Sequence, residues 1–251
     1  MVTIKNTSEI AKMRIAGQVL AQAIEMLKSM LKPGVNCLDL DQAFADFIKA
    51  KDCTSNFLGY YGYPKNICIS INDQLIHGIP QDRIIESGDI VSVDSGCVYQ
   101  GYHADSAFTM QVGTPKAQKN AILIWATEKS LDLVIQMLKP GVRIGDIGST
   151  IQTYIEGFGF HLPRDYTGHG IGTAMHEDPY IPNYGTPGTG LRLQQGMVIA
   201  VEPMVQIGTN KTIVADDKWT VFSADHSMTA HFEHTILITS DGCEVLTKLE
   251  R

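Results

Sequence analysis

The sequence predicts an α+β protein of two pseudo-symmetric halves, each helix–helix–β-hairpin, around a central antiparallel sheet. Three observations carry this reading. The segment Met30-Leu31-Lys32-Pro33-Gly34-Val35 recurs as Met137-Leu138-Lys139-Pro140-Gly141-Val142, an offset of 107 from Met30 to Met137. Gly88-Asp-Ile-Val-Ser-Val-Asp94 is echoed by Gly196-Met-Val-Ile-Ala-Val-Glu202, an offset of 108 from Asp94 to Glu202. His103-Ala-Asp105 is echoed by His231-Phe-Glu233 after a longer insertion. An ordered series of echoes marks an internal repeat. The halves run over about 1–114 and 115–251. They form one expected domain, 1–251, with no additional N-terminal domain.

The elements follow in order. Ser8 is placed as the N-cap of a helix running to Leu31, with Ile10, Met13, Ile15, Val19, Leu20, Ile24 and Leu27 near helical spacing. Lys32-Pro33-Gly34 stops it. A second helix covers 37–51. The Gly- and Tyr-rich stretch 57–64 reads as an irregular loop with exposed aromatics. A strand over 67–71 turns through Asn72-Asp73-Gln74 into Leu75-Ile76-His77-Gly78-Ile79-Pro80. Ser87-Gly88-Asp89 then leads into strand-like runs over 90–98 and 102–112. Helices over 115–138 and 146–157 open the second half.

The bulk numbers exclude several classes. The 251 residues are 44% hydrophobic and 19% charged, an ordinary globular composition with enough chain for a large core. No run approaches the roughly 20 apolar residues of a membrane span, and no secretory leader opens the chain. Five cysteines without a CxxC pair argue against a disulfide framework and for a reducing cytoplasm. A net charge of −7 disfavours nucleic acid as the main partner.

The acidic residues carry the chemistry. A turn at Tyr99-Gln100 would pair Val98 with Gly101 and set Asp94 directly opposite Asp105. Facing like charges destabilise a strand pair. Such a pair persists with a cation between, with one member protonated, or on a solvated face. The repeat favours the cation. If the two sheets meet at the pseudo-axis, Asp94, Asp105, Glu202 and Glu233 converge. Four buried anions need about four positive charges, which two divalent ions supply. The nitrogen ligand expected beside them is in Thr167-Gly-His169-Gly-Ile-Gly-Thr-Ala-Met-His176. Its glycines let backbone or ligand approach closely. On a strand, His169 and His176 would fall on opposite faces, so they need not share a task.

Together these residues resemble the type I methionine aminopeptidases, with the pita-bread fold. The resemblance covers nearly the whole chain, from Glu9-Ile10 to Asp241-Gly242, through Gly59-Tyr60-Tyr61-Gly62-Tyr63-Pro64-Lys65, His77-Gly-Ile-Pro80, Gly168-His-Gly-Ile-Gly172 and Val201-Glu-Pro203. It implies a dinuclear site made by Asp94, Asp105, His169, Glu202 and Glu233, using Co, Mn, Fe or Zn. Glu202 would be the general base. His176 would stabilise the developing charge on the attacked carbonyl, and His77 would bind the scissile amide or the backbone beyond it. Phe57, Tyr60, Tyr63, Cys68, His77, Met175 and Trp219 would line a methionine pocket. Many members of that family carry Cys at the Phe57 position and Phe at the Met175 position, so bulk is exchanged between pocket walls. His231 stands where Gln is frequent. On one strand face with Glu233 it would lie near the metals, as a donor behind the ligands or as a shifter of metal preference.

The resemblance therefore implies removal of initiator methionine from nascent chains, with a small second residue preferred. The expected protein is a cytoplasmic monomer acting on peptide N-termini at or near the ribosome. Two readings compete: a proline-directed aminopeptidase of the same fold, and a non-catalytic binding protein. The proline-directed relatives usually carry a large N-terminal domain, and the binding proteins replace ligands. No segment between 144 and 233 is long enough for the helical insertion of the type II enzymes.

Overall fold

The computed structural model describes residues 2–249, so both ends of the expected 1–251 domain lie just outside it. The first half opens with α1 (Thr7–Met30) and α2 (Cys37–Lys49). Asn6, not Ser8, caps α1. Its carboxamide oxygen accepts from Ser8 N and Glu9 N, and the Glu9 carboxylate accepts from Asn6 N. This is a capping box, and it needs an extended cap residue, which Asn6 is at φ −80° and ψ 172°. Ser8 already lies inside the first turn. The helix buries Met13, Ala16, Leu20, Ala23, Ile24 and Leu27, while Ile15 points outward at 43% exposure. Gly34 closes the Lys-Pro-Gly stop at φ +96°, and Gly141 does the same in the second copy at φ +94°.

The strands of the first half are β1 (Thr54–Ser55), β2 (Ile67–Ile71), β3 (Gln74–Ile76), β4 (Ile90–Tyr99) and β5 (Tyr102–Gln111). In the first sheet β4 pairs antiparallel with β1, β2 and β5. The β4–β5 register corrects the one expected. Tyr99 pairs with Tyr102, so the turn is Gln100-Gly101, both with left-handed φ (+48° and +81°). A two-residue hairpin turn of this kind matches strand twist, and glycine takes positive φ at little cost. Asp94 therefore faces Ala107, and Asp105 faces Gly96. The two carboxylates are diagonal neighbours on one face.

The second half opens with α3 (Gln118–Met137) and α4 (Ile144–Glu156), then β6 (Thr167–Gly170), β7 (Glu177–Pro182), β8 (Val198–Val201) and β9 (Met204–Gln206). The strands β10 (Thr212–Val214), β11 (Val221–Ser223), β12 (Thr229–His231), β13 (His234–Ile238) and β14 (Cys243–Val245) follow. α4 starts at Ile144, two residues before the Asp146 expected to open it. Asp146 instead reaches back to accept from Arg143 N and across to accept from Gly188 N. The second sheet runs β14-β13-β8-β6-β7, antiparallel throughout.

The two sheets join through β5. Ala107 and Glu233 exchange backbone hydrogen bonds, and Thr235 Oγ1 links to Asp105 N and O. One continuous apolar core, with Leu20, Phe44, Val93, Leu123, Ile151 and Ile199 among its members, packs the helices on the sheets. This junction sets the strand segments carrying the acidic residues side by side.

Candidate metal centre and active site

Asp94 stands mid-strand on β4, Asp105 on β5 and His169 on β6. Glu202 lies one residue past β8, and Glu233 lies in the break between β12 and β13. All five line one pocket, with Phe57, Tyr60, Tyr63, Cys68, His77, Met175, His176 and Trp219 completing its wall. Ligand-type atoms of Asp105, His169 and Glu233 lie within 4.8 Å of one another. Glu202 Oε1 is 3.6 Å from His169 Nε2.

The electrostatics of this cluster are unfavourable for protein groups alone. Burial pushes Asp94 up to about 7 and Glu202 up to about 8. Burial and then the neighbouring carboxylates push Asp105 and Glu233 well above the usual carboxylate range. Asp94 Oδ1, Asp105 Oδ1 and Glu233 Oε1 are buried without a hydrogen-bond partner among the described residues. His169 Nδ1 lies 2.9 Å from the Gly170 carbonyl, which only an N–H can satisfy. The ring proton therefore sits on Nδ1, and the Nε2 lone pair faces Glu202. Burial lowers His169 to about 3 and keeps it neutral. A lone pair and clustered carboxylate oxygens turned on one point form a donor set that fits a divalent ion.

The apolar side of the pocket is equally defined. Phe57, Tyr63, Cys68 and Met175 form a buried cluster, with Tyr60, Ile79 and Trp219 packed against it. Phe57 and Met175, the two positions of exchanged bulk, thus belong to one wall. The Tyr63 hydroxyl donates to the Ile67 and Gly78 carbonyls at 3.1 Å each, which leaves its ring as pocket lining. Burial pushes the Cys68 thiol well up, so it stays protonated. The aromatics expected to be exposed over 57–64 are mostly enclosed. Tyr61 alone among these rings stands out, at 87% exposure.

The histidines are arranged differently from a simple strand. β6 ends at Gly170 and the chain loops before β7, so His169 and His176 face each other, ring centroids 4.3 Å apart and nearly perpendicular. Tyr60 Oη is 2.7 Å from His176 Nδ1. His77 has left-handed φ, +59°, and its ring meets Tyr166 and Trp219 edge-on. His231 ends β12, and the register carries on through 232–233, where Phe232 N donates to the Pro203 carbonyl between the His231–Met204 and His234–Val201 pairs. The His231 ring lies beside Glu202, Nε2 to Oε2 3.6 Å.

The model of Metallopeptidase family M24 matches residues 11–240. The chain belongs to this family. A methionine aminopeptidase of Mycoplasma capricolum is 69% identical over the full length of both chains. Methionine aminopeptidase 1 of Bacillus subtilis is 44% identical, covering 99% of this chain and 100% of the relative. Among solved structures, a methionine aminopeptidase of Thermotoga maritima superposes with a TM-score of 0.97 at 44% identity, covering 99% of this chain and all of that one. A prolidase from Pyrococcus furiosus reaches 0.78 at 24% identity, with 99% of this chain but 66% of the prolidase covered, a likeness of fold alone. The expected α+β pita-bread fold is the one these structures share. M24 membership implies use of divalent metal.

Three pocket-side residues of this M24 chain were not expected. Ile79 packs on the apolar cluster and Tyr166 on His77. Both had a signal, since they sit inside or beside His77-Gly-Ile-Pro80 and Thr167-Gly-His169. Fully buried Asn183 donates to the Glu202 carbonyl at 2.8 Å, and nothing in the sequence marked it.

Proposed function

We propose that this chain removes N-terminal methionine from peptides and nascent proteins, preferring a small second residue, with two divalent metal ions held by Asp94, Asp105, His169, Glu202 and Glu233. The observation that carries this reading is a metal-type donor set sharing one pocket with a soft apolar wall. Methionine is unbranched and polarisable, and its sulfur makes favourable contacts with aromatic edges. Phe57, Tyr60, Tyr63 and Trp219 supply those edges, and Cys68 and Met175 complete the wall.

Divalent ions held there lower the pKa of water and polarise the peptide carbonyl. The chain supplies the remainder. Glu202 accepts a proton from the attacking water and passes it to the leaving amine. His176, its Nδ1 engaged by Tyr60, donates from Nε2 to the oxygen on which charge develops. His77, held neutral by burial, which lowers it to about 4, hydrogen-bonds the scissile amide or the backbone beyond it.

The reading takes the chain as one catalytic domain with two related halves, about 1–114 and 115–251. It extends to a cytoplasmic monomer working on nascent chains at the ribosome. Support comes from the internal repeat and from the lack, among the described residues, of any helix long and apolar enough to cross a membrane.

The test is hydrolysis of Met-Ala-Ser and Ala-Pro-Ala by protein stripped with chelator and reloaded with Mn²⁺, Co²⁺, Fe²⁺ or Zn²⁺. Metal-dependent release of Met is expected, falling at least about 10²-fold in Glu202→Gln. Release of Ala from Ala-Pro-Ala instead would move the assignment to the proline-directed branch. A folded protein inactive with every metal and both peptides would favour a binding role.

A further inference from the structure

His231 is a buried titratable group beside the ligand set, and the reading above gives it no task. It is 2% exposed. Its backbone is fixed by β5: His231 N donates to Thr109 Oγ1 at 2.8 Å, and the same hydroxyl donates to the His231 carbonyl at 2.7 Å. Its ring is not fixed in this way. Among the described residues neither Nδ1 nor Nε2 has a hydrogen-bond partner. Glu202 Oε2 lies 3.6 Å from Nε2, and the Asp94 carboxylate also acts electrostatically on the ring.

The other oxygen of that carboxylate faces His169 Nε2, also at 3.6 Å. Two imidazoles therefore flank one carboxylate, one to each oxygen. Their chemistry differs. His169 carries its proton on Nδ1, against the Gly170 carbonyl, and presents a lone pair. His231 has no acceptor at Nδ1, so its proton belongs on Nε2, where a carboxylate oxygen accepts it. The 3.6 Å separation is a few tenths of an ångström beyond a hydrogen bond, and a small rotation of either side chain closes it.

We propose that His231 is a positioning residue for Glu202: its Nε2–H donates to Oε2 and keeps Oε1 turned toward His169 and the metal. This rests on the reading of Glu202 as metal ligand and base. The terminal torsion of a glutamate is soft, so a carboxylate held at one oxygen only through a metal can swing. A donor on the second oxygen removes that freedom, as outer partners of metal ligands commonly do. A packing role would ask only for bulk, whereas this role asks for an N–H.

The experiment compares wild type with His231→Leu, His231→Met and His231→Gln. Leu and Met fill the space without a donor, and Gln restores one. Each protein is stripped with chelator, checked by thermal melting, titrated with Co²⁺ by calorimetry, and its Co²⁺ visible spectrum and steady-state constants on Met-Ala-Ser are measured. The expected result is a Co²⁺ affinity about 10–100-fold weaker in Leu and Met, with a changed spectrum and a fall in kcat larger than any change in KM. Gln recovers affinity and spectrum to within a few-fold. Met, close to Gln in length and volume, serves if Leu fails to fold. Unchanged affinity and spectrum in Leu or Met would overturn the inference, as would a Gln variant as impaired as they are. Wild type that takes up no Co²⁺ would overturn the metal reading itself, and with it this one.

Discussion

In the proposed mechanism the hydroxyl of Tyr60 sets which edge of His176 works. Burial raises Tyr60 above its ordinary value, so the phenol keeps its proton, 2.7 Å from Nδ1. In that mechanism the hydroxyl donates to Nδ1, which puts the His176 proton on Nε2, toward the substrate oxygen. Tyr60→Phe removes the donor and keeps the ring in the pocket wall. It should lower kcat about tenfold and leave KM within about a factor of two, since it removes one neutral hydrogen bond. Steady-state kinetics on Met-Ala-Ser check this, and an unchanged kcat would show that Tyr60 is wall only. His176→Ala should cost more, about 10²–10³ in kcat, as loss of an oxyanion donor does. The identity of both residues was legible in the sequence, in the Tyr-rich loop and the Gly-rich stretch. Their contact was not. It depends on a six-residue loop between β6 and β7 that turns His176 back on His169, and no periodicity describes such a loop.

Among the elements, the segment before α1 has a role that its sequence did not announce. Lys5 N donates to the Gly196 carbonyl, in the turn before β8 and Glu202. Lys5 Nζ donates to Glu177 at 2.8 Å, and Glu177 also accepts from Thr3, Thr173 N and Ala174 N. One short segment therefore braces both the loop delivering His176 and the turn delivering Glu202. Burial works against the Glu177 charge, but the Lys5 and Thr3 hydrogen bonds and the Lys5 charge outweigh it and hold the group down at about 2. A depressed carboxylate stabilises above its unfolded pKa of 4.5 and loses that contribution as pH falls toward 2. Glu177→Gln leaves Lys5 buried without its anion. It should lower Tm by about 5 °C or more at pH 7, and the gap to wild type should shrink between pH 5 and pH 3. Thermal melts across that range check the sign. A gap that widened on acidification would rule the pair out as the source. Element ends were the least legible level. The turn lies within Tyr99-Gln100-Gly101, but it centres on Gln100-Gly101 rather than Tyr99-Gln100. Moving the turn by one residue shifts each cross-strand partner by two, so strand faces are kept. That is why Asp94 and Asp105 still share a face although their expected pairing was wrong.

At the scale of the molecule, the repeat in the sequence pointed to converging carboxylates before any contact was known. It could not say which strand edges meet, because that is decided by the Ala107–Glu233 backbone pair and the Thr235–Asp105 link. The consequence is mechanical as well as chemical. Asp94 and Asp105 come from the first half, and His169, Glu202 and Glu233 from the second. A bound ion therefore ties segments more than 100 residues apart, and it binds the folded chain far better than the unfolded one. Saturation at about 1,000 times Kd adds about 4 kcal/mol, which for a chain of this size raises Tm by about 8–16 °C. Treatment with chelator should lower Tm by that amount. Added Mn²⁺ should restore it in a concentration-dependent way, and Glu233→Ala should melt at the same temperature with or without the metal. The alternative is that protons alone reconcile these carboxylates, a route their raised pKa values would permit. In that case the melting temperature would be insensitive to both chelator and Mn²⁺, and the two halves would be held by their shared core and the β5 junction without help from an ion.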